Sequence, residues 1–284
     1  MTNKERFKAN IRTFEFEPHS YCNRKCWFCP NNFLDRTGPV KFFDEKIYAQ
    51  VLEDLRSIDY SECIGYAGWC EPFSEATATL KMFSDARDKL PNAMLFSNTN
   101  TDYLTTEIVV KAADAGLDYL KCQLYFGKDE EYTKDNIVKK MMSLKAKLSG
   151  IEFNERAEGI WFALVGNLVV IAYSKDFHKV GKNRCDVNVR KPVKRTATCY
   201  ETLTMFGINH NGWAVPCCNM RSDYPPHKKL LLGKVDDSPG RIFELYQGVL
   251  IPETQYPCST CMGLQGHANM KIVHRIVLEE LKNG

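Results

Sequence analysis

The spacing of apolar side chains predicts strands and helices that alternate over the first two thirds of the chain. Thr13–Glu17 alternates polar and apolar residues, which is typical of a strand that runs into a loop. After Asp44, apolar residues recur at helical spacing from Ile47 to Ile58. A helix capped by Asp44 is therefore predicted, because an aspartate side chain can accept hydrogen bonds from the first free N–H groups of a helix.

The same two patterns recur further along the chain. Strands are predicted near Cys63–Ala67, at Ala93–Ser97, at Tyr119–Tyr125 and within Ile160–Tyr173, and helices over Glu75–Lys89, Leu104–Gly116 and Asn136–Leu148. Strands separated by helices at this rhythm predict an α/β fold with a parallel sheet, either open or curled into a barrel.

The pattern changes after Arg184. Thr204–Ile208 and Ala214–Val215 flank a polar turn, which predicts a hairpin. Cysteines and prolines follow, and a last helix is predicted over Asn269–Leu281. We therefore expect a main domain over residues 10–185 and a small, metal-stabilised domain over residues 186–284.

Composition excludes several classes of protein. Lys plus Arg exceeds Asp plus Glu only by 38 to 35, so the charge gives no reason to expect nucleic-acid binding. No apolar stretch approaches the length that spans a membrane, and the first residues lack the apolar core of a signal peptide. We expect a cytoplasmic protein without a membrane partner.

The cysteines are the unusual feature. The chain has 12, with three in residues 22–29 and five more between Cys199 and Cys261. Disulfides are rare in a reducing compartment, so clustered cysteines indicate metal or redox chemistry. Two groups in two regions predict two metal sites.

The first group is a C-x3-C-x2-C motif directly after a predicted strand, formed by Cys22, Cys26 and Cys29. Three thiolates can bind three irons of a [4Fe–4S] cluster and leave the fourth iron open. S-adenosylmethionine (SAM) can chelate that iron, and one electron then yields a 5′-deoxyadenosyl radical. The alternative is a zinc knuckle, for which His19 is the available fourth ligand.

Cys22–Cys29 resembles the signature of the radical SAM superfamily. The resemblance implies a partial (β/α)6 TIM-like barrel with its active site at the carboxyl ends of the strands. It also implies that Phe28 packs against the adenine of SAM. The segment from Gly68 to Pro72 is similar to the G-x-G-E-P segment that binds the SAM amino group, although Cys70 replaces its second glycine.

Two further segments extend this resemblance. Thr99–Asp102 is similar to the T-N-G-D segment of the superfamily, with Thr101 in place of the glycine. Gln123 lies where relatives offer a polar contact to SAM. The SAM-binding residues implied by the resemblance are Phe28, Gly68, Glu71, Pro72, Thr99, Asn100 and Gln123.

The second group consists of Cys199, Cys217, Cys258 and Cys261, with Cys218 adjacent. Four thiolates saturate either a [4Fe–4S] cluster or a tetrahedral zinc, and ligand chemistry alone leaves both open. The arrangement resembles the twitch form of the SPASM extension, which implies a second, auxiliary [4Fe–4S] cluster.

Within the superfamily the chain resembles dehydrogenases that oxidise aminocyclitols. The resemblance places Arg184 beside the substrate, although Cys185 and Asp186 replace two glycines that follow the arginine in those relatives. It implies hydrogen abstraction from a carbinol C–H of a sugar or aminocyclitol, with a flavodoxin- or ferredoxin-type reductant.

Three other functions stay open. The same first step serves an epimerase of a sugar or peptide, in which Cys185 or Cys218 returns a hydrogen atom. SPASM proteins also include peptide maturases. The third class, an iron–sulfur electron carrier without enzymatic activity, needs neither an open iron nor SAM-binding loops.

Overall fold

The computed structural model describes residues 1–181, 183, 185–189, 198–248, 250–251, 256–259, 261 and 270–283. Ten strands form one sheet in the order β10-β9-β8-β1-β2-β3-β4-β7-β6-β5. The strands are β1 (Thr13–Phe16), β2 (Cys63–Tyr66), β3 (Met94–Thr99), β4 (Tyr119–Gln123), β5 (Asn154–Ala157), β6 (Ile160–Val165), β7 (Leu168–Tyr173), β8 (Met205–Ile208), β9 (Trp213–Val215) and β10 (Gly233–Lys234).

The helices of the described residues precede, separate and follow these strands. They are α1 (Asn3–Asn10), α2 (Glu45–Arg56), α3 (Ala76–Lys89), α4 (Thr106–Asp114), α5 (Lys134–Lys147), α6 (Phe177–Val180), α7 (Glu201–Thr204), α8 (Arg241–Leu245) and α9 (Met270–Asn283). Asp44 caps α2 as predicted, accepting hydrogen bonds from the N–H groups of Lys46 and Ile47. Helix α1, which the hydrophobic pattern did not predict, buries only Phe7.

Six neighbouring strands of the sheet run parallel, in the order β8-β1-β2-β3-β4-β7. The α/β fold with a parallel-rich sheet is therefore confirmed. The sixth of these strands along the chain, β8, pairs with β1 and not with β7. The partial (β/α)6 barrel stays a prediction.

The region Ile160–Tyr173 contains two strands, where the pattern predicted strand structure without a division. Strands β6 and β7 pair antiparallel around a turn at Gly166, which has φ +60°. A positive φ suits glycine because it has no Cβ to clash with the backbone. The turn places β7 parallel to β4 and β6 on its outer side.

The two faces of the sheet are buried by different helices. Ile64 and Leu95 belong to the large core that includes the apolar faces of α2 and α3. Cys63, Met94 and Phe96 form a second core with Val277, Leu278 and Leu281 of α9. Side chains alternate between the faces of a strand, so these two sets lie on opposite sides of the sheet.

Strands β8, β9 and β10 lie in the same sheet as β1, although they follow the predicted domain boundary at 185/186. The division into two domains stays a prediction. Among the described residues, no helix combines the length and apolarity needed to cross a membrane.

Candidate active site

The loop that follows β1 carries Cys22, Cys26 and Cys29, and all three side chains are half-buried. The Cys29 N–H donates to the Cys26 carbonyl oxygen at 2.9 Å. Burial, with a smaller contribution from the nearby Cys29 thiol, raises the pKa of Cys22 and raises that of Cys26 to about 12. A bound metal cation favours the thiolate form of such thiols, because a cysteine ligand must be deprotonated.

Whether this loop holds a cluster or a single ion stays a prediction. Among the described residues, no three or more His, Cys, Asp or Glu side chains converge on one metal position. The three thiolates of an open-iron [4Fe–4S] cluster each bind a different iron and need not converge in this way. His19, the fourth ligand of the zinc alternative, is buried with Nδ1 accepting from the Tyr21 N–H at 3.2 Å and Nε2 3.5 Å from the Pro72 carbonyl oxygen.

Glu71 lies at the centre of the segments predicted to bind SAM. Its carboxylate accepts hydrogen bonds from Thr99 Oγ1 and from the Asn100 N–H, both at 2.7 Å, and from the Phe73 N–H at 3.3 Å. Its own N–H donates to the Tyr21 carbonyl oxygen at 2.9 Å. Burial raises the pKa of Glu71 to about 7, although these hydrogen bonds oppose the rise. Glu71 thus ties the loop after β2 to the end of β3.

The cysteine loop is fastened to the same place. Asn100 Nδ2 donates to Asn23 Oδ1 at 2.9 Å, and Asn23 Nδ2 donates to Asp102 at 2.7 Å. Arg24 binds both carboxylate oxygens of Asp102, at 2.6 and 2.5 Å. Three segments that are far apart in sequence, and that the motifs predicted to act together, therefore meet at the carboxyl ends of β1, β2 and β3.

Two residues at positions where the resemblance implied glycine have a positive φ. Thr101 has φ +72° and Cys185 has φ +51°. Side chains disfavour this region, most of all β-branched ones such as threonine. Both positions therefore have the positive φ that suits glycine, although each carries a side chain.

The remaining predicted SAM contacts lie around this centre. Gly68 has φ +60°, and a Cβ there would approach the Glu17 Cβ to 2.9 Å. Pro72 begins a short 3-10 helix after Glu71, and Gln123 ends β4, half-buried. Phe28 is buried, with its ring stacked on Phe177 at 3.6 Å between centroids. Their roles in SAM binding stay predictions.

Two cysteines of the second group, Cys217 and Cys261, contact Asn219. The Asn219 N–H donates to Cys217 Sγ at 3.4 Å, and Asn219 Nδ2 donates to Cys261 Sγ at 3.2 Å. The pKa of Cys217 is raised well above its usual value, mainly by a hydrogen bond with Cys218 and secondly by burial. The other two predicted ligands, Cys199 and Cys258, are half-buried.

The predicted substrate and hydrogen-donor residues fall near these groups where they can be placed. Cys185 is buried and its thiol lies 3.7 Å from the Asn219 carbonyl oxygen. Cys218 lines a small cavity with Glu17, Gly68 and other residues at the ends of β1 and β2. Arg184 lies outside the described residues.

Sequence reasoning missed a buried ionic network below the cysteine loop. Glu17 Oε1 accepts from Arg36 Nη1 at 2.9 Å, and Glu17 Oε2 accepts from the His210 N–H at 3.0 Å and contacts His210 Nδ1 at 2.9 Å. Burial raises the pKa of Glu17, but Arg36 and His210 outweigh it and hold the pKa below its usual range. The sequence feature that could have indicated this network is Glu17 itself, a carboxylate directly after the strand β1.

The network continues into the C-terminal third of the chain. Asp223 accepts from Arg36 Nε at 2.9 Å and from both Nε and Nη2 of Arg221, at 2.8 and 2.9 Å. Arg221 is fully buried, donates to Asn31 Oδ1 at 2.7 Å, and lies over the Trp69 ring at 5.0 Å. The network therefore joins the cysteine loop to the segment after β9.

Comparison with known proteins supports the predicted likeness. The chain is 31% identical over 106 residues to the S-adenosyl-L-methionine-dependent 2-deoxy-scyllo-inosamine dehydrogenase of Niallia circulans. The match spans 36% of this chain and 40% of that relative. No protein-family model matches the chain. The predicted resemblance to aminocyclitol dehydrogenases is thus borne out as sequence similarity over this stretch.

Solved structures of BtrN share the fold. The complex of BtrN with AdoMet and 2-DOIA aligns with a TM-score of 0.58 and 18% identity, covering 84% of this chain and 82% of that one. Selenomethionine BtrN in an open conformation aligns with a TM-score of 0.54 and 17% identity, covering 90% and 92%. The mixed α/β architecture is therefore one that a known SAM-binding protein also has.

Proposed function

We propose that this chain is a radical SAM dehydrogenase that removes a hydrogen atom from a carbinol C–H of an aminocyclitol or sugar and forms a ketone. One observation carries the proposal. The cysteine loop, Glu71 and the Thr99–Asp102 segment meet at the carboxyl ends of three parallel strands and are joined there by hydrogen bonds. A zinc knuckle or an electron carrier does not require these three segments to converge.

In this proposal Cys22, Cys26 and Cys29 hold the first [4Fe–4S] cluster, and the second cysteine group holds another. When bound, these clusters and SAM supply a 5′-deoxyadenosyl radical and an acceptor for one electron. The Glu71 carboxylate supplies negative charge for the SAM amino group, and its bonds to Thr99 and Asn100 keep the surrounding loops in place.

The chemistry balances as the loss of two electrons and two hydrogens from the substrate. With SAM and the clusters bound, the carbinol C–H hydrogen would pass to the 5′-deoxyadenosyl carbon, the hydroxyl would lose its proton, and one further electron would leave as the C=O bond forms. Asn219 contacts Cys185 through its carbonyl oxygen and Cys217 and Cys261 through its N–H groups. In this proposal the second cluster, held by the second cysteine group, is the acceptor for the further electron.

The name of the similar protein from Niallia circulans supports an aminocyclitol as substrate. The test is anaerobic incubation of the reconstituted protein with SAM, a flavodoxin-type reductant and 2-deoxy-scyllo-inosamine. We expect 5′-deoxyadenosine and the ketone in equal amounts. Formation of 5′-deoxyadenosine without consumption of 2-deoxy-scyllo-inosamine would exclude this compound as the substrate. A panel of sugars and peptides would then be tested in its place.

A second candidate function, epimerisation, is favoured by the place of Cys218 in the small cavity. A thiol there is suited to return a hydrogen atom to a substrate radical. For an epimerase, a reaction in D2O places deuterium at the carbinol carbon, and Cys218→Ala abolishes that label while 5′-deoxyadenosine still forms. A dehydrogenase yields ketone without this label in both proteins.

A further inference from the structure

Asn219 contacts two of the four cysteines proposed to hold the second cluster. Its backbone N–H donates to Cys217 Sγ at 3.4 Å and its side-chain Nδ2 donates to Cys261 Sγ at 3.2 Å. These cysteines are separated by 43 intervening residues of sequence, so a single residue links two distant ligands. Asn219 is also buried, with 4% of its surface exposed.

The amide is held in one orientation. Nδ2 faces Cys261, while Oδ1 is buried and has no hydrogen-bond partner within the described part of the chain. Leaving a buried carbonyl oxygen unpaired is unfavourable. An apolar side chain would avoid that penalty but could not donate to the thiolate, so the donor function accounts for an asparagine here.

Hydrogen bonds to sulfur change the redox properties of an iron–sulfur site. An N–H group that points at a cysteine sulfur stabilises negative charge on it and so favours the reduced form of the cluster. The effect is strengthened where water is excluded, because the local dielectric constant is low. Two such donors from one buried residue satisfy both conditions.

We infer that Asn219 is a positioning residue of the second cluster, which holds Cys217 and Cys261 in place and raises the reduction potential of the cluster. This inference rests on the proposed function. It makes the site a better acceptor for the one electron that leaves the substrate as its C–O bond becomes C=O. The Cys185 thiol donates to the Asn219 carbonyl oxygen at 3.7 Å and so contacts the backbone of this residue.

The test measures the midpoint potential of the second cluster by EPR-monitored redox titration. The parent is the full chain with Cys22, Cys26 and Cys29 changed to Ala, so that only the second cluster contributes a signal. Asn219→Leu removes the side-chain donor without adding charge. Asn219→Asp keeps the shape of the amide and serves as a second variant in case the leucine variant does not fold. Asn209→Asp is the matched control, because Asn209 is equally buried at 4% and its Oδ1 accepts from the Ser222 N–H.

We expect about four irons per chain in all these proteins. Both Asn219 variants should have a midpoint potential below that of the parent, with the aspartate lower, and the control should be close to the parent. An unchanged potential in the Asn219 variants with iron retained overturns the inference and leaves the proposed function standing. A parent that binds no iron removes the second cluster itself, and with it both the proposed electron acceptor and this inference.

Discussion

Glu71 shows how one buried side chain can organise a site. It gathers hydrogen bonds from Thr99, Asn100 and Phe73 and is only 2% exposed. Burial penalises its charged form, which is why its pKa rises to about 7.

This rise predicts a pH dependence of stability. Between pH 4.5 and about 7 the native carboxyl keeps a proton that the unfolded chain has released, so the free energy of unfolding falls as pH rises across this window. The expected fall is about 2–3 kcal/mol. Anaerobic urea unfolding at pH 5 and pH 8 should show it in the wild type and not in Glu71→Gln.

A control for that experiment is Glu107→Gln, because Glu107 is an exposed helix residue paired with Lys111. It should retain the wild-type pH dependence. If the free energy of unfolding fell equally between pH 5 and pH 8 in the wild type and in Glu71→Gln, the pKa of Glu71 would not be raised in the folded protein.

Thr101 carries backbone strain that a glycine would relieve. Its φ of +72° is unfavourable for a β-branched residue. Thr101→Gly is expected to raise the free energy of unfolding by about 1 kcal/mol, since the relief exceeds the entropy cost of glycine. Ser84→Gly, at an exposed position in the interior of α3, should lower it by about 0.5 kcal/mol. Chemical denaturation of both variants checks the opposite signs, and a destabilised Thr101→Gly contradicts the strain.

Single residues were predictable from sequence only where a motif carried them. The three loop cysteines, Glu71 and Asn100 belong to motifs with fixed spacing, and the structure brings their segments together. Glu17 and Asp223 belong to no motif. Their shared partner Arg36 is 19 residues from Glu17 in sequence but 187 residues from Asp223. Local patterns give no information about such a contact.

At the scale of elements, the cysteine loop is held to the end of β3 by the Arg24–Asp102 pair. Both side chains are about one-third exposed, at 31% and 34%, so solvent weakens the pair. Its importance is that it fixes where the loop lies relative to Thr99 and Asn100.

Asp102→Ala is therefore expected to have a small effect on stability, about 1 kcal/mol, and a larger one on metal retention at the proposed first metal site. A chelator should remove iron from the reconstituted variant several-fold faster than from the wild type. Asp35→Ala is the comparison, because Asp35 pairs with Lys25 within the loop and does not reach β3. Equal rates of iron loss to the chelator in all three proteins would show that the Arg24–Asp102 pair does not stabilise the proposed first metal site.

The elements themselves were largely predictable. Alternation and helical periodicity located β1 to β4 and α2 to α5 within a few residues, because each buries one regular face. The pattern did not divide β6 from β7, since both are apolar and the turn between them is only two residues long. It also missed α1, which has a single buried side chain.

At the scale of the whole molecule, the buried network of Glu17, Arg36, Asp223 and Arg221 joins the N-terminal and C-terminal parts of the chain. Arg36 is the shared member, with 4% of its side chain exposed and a carboxylate on each side. Removing one partner of a buried pair leaves an uncompensated charge, which is far more costly than losing an exposed pair.

Arg36→Met should therefore lower the free energy of unfolding by about 3–5 kcal/mol. The double variant Glu17→Gln/Arg36→Met should recover part of that loss, because no charge is then left behind at Glu17. Denaturant unfolding of the two single variants and the double variant forms the required cycle. Additive losses would show that Glu17 and Arg36 do not depend on each other.

The central claim is that Cys22, Cys26 and Cys29 hold the cluster that cleaves SAM. The most direct measurement counts iron and sulfide per chain, and assays 5′-deoxyadenosine, in the anaerobically reconstituted wild type and in a variant with these three cysteines changed to Ala. We expect about eight irons to fall to about four, with cleavage abolished. A wild-type protein that has its clusters and a competent reductant yet forms no 5′-deoxyadenosine would contradict the claim.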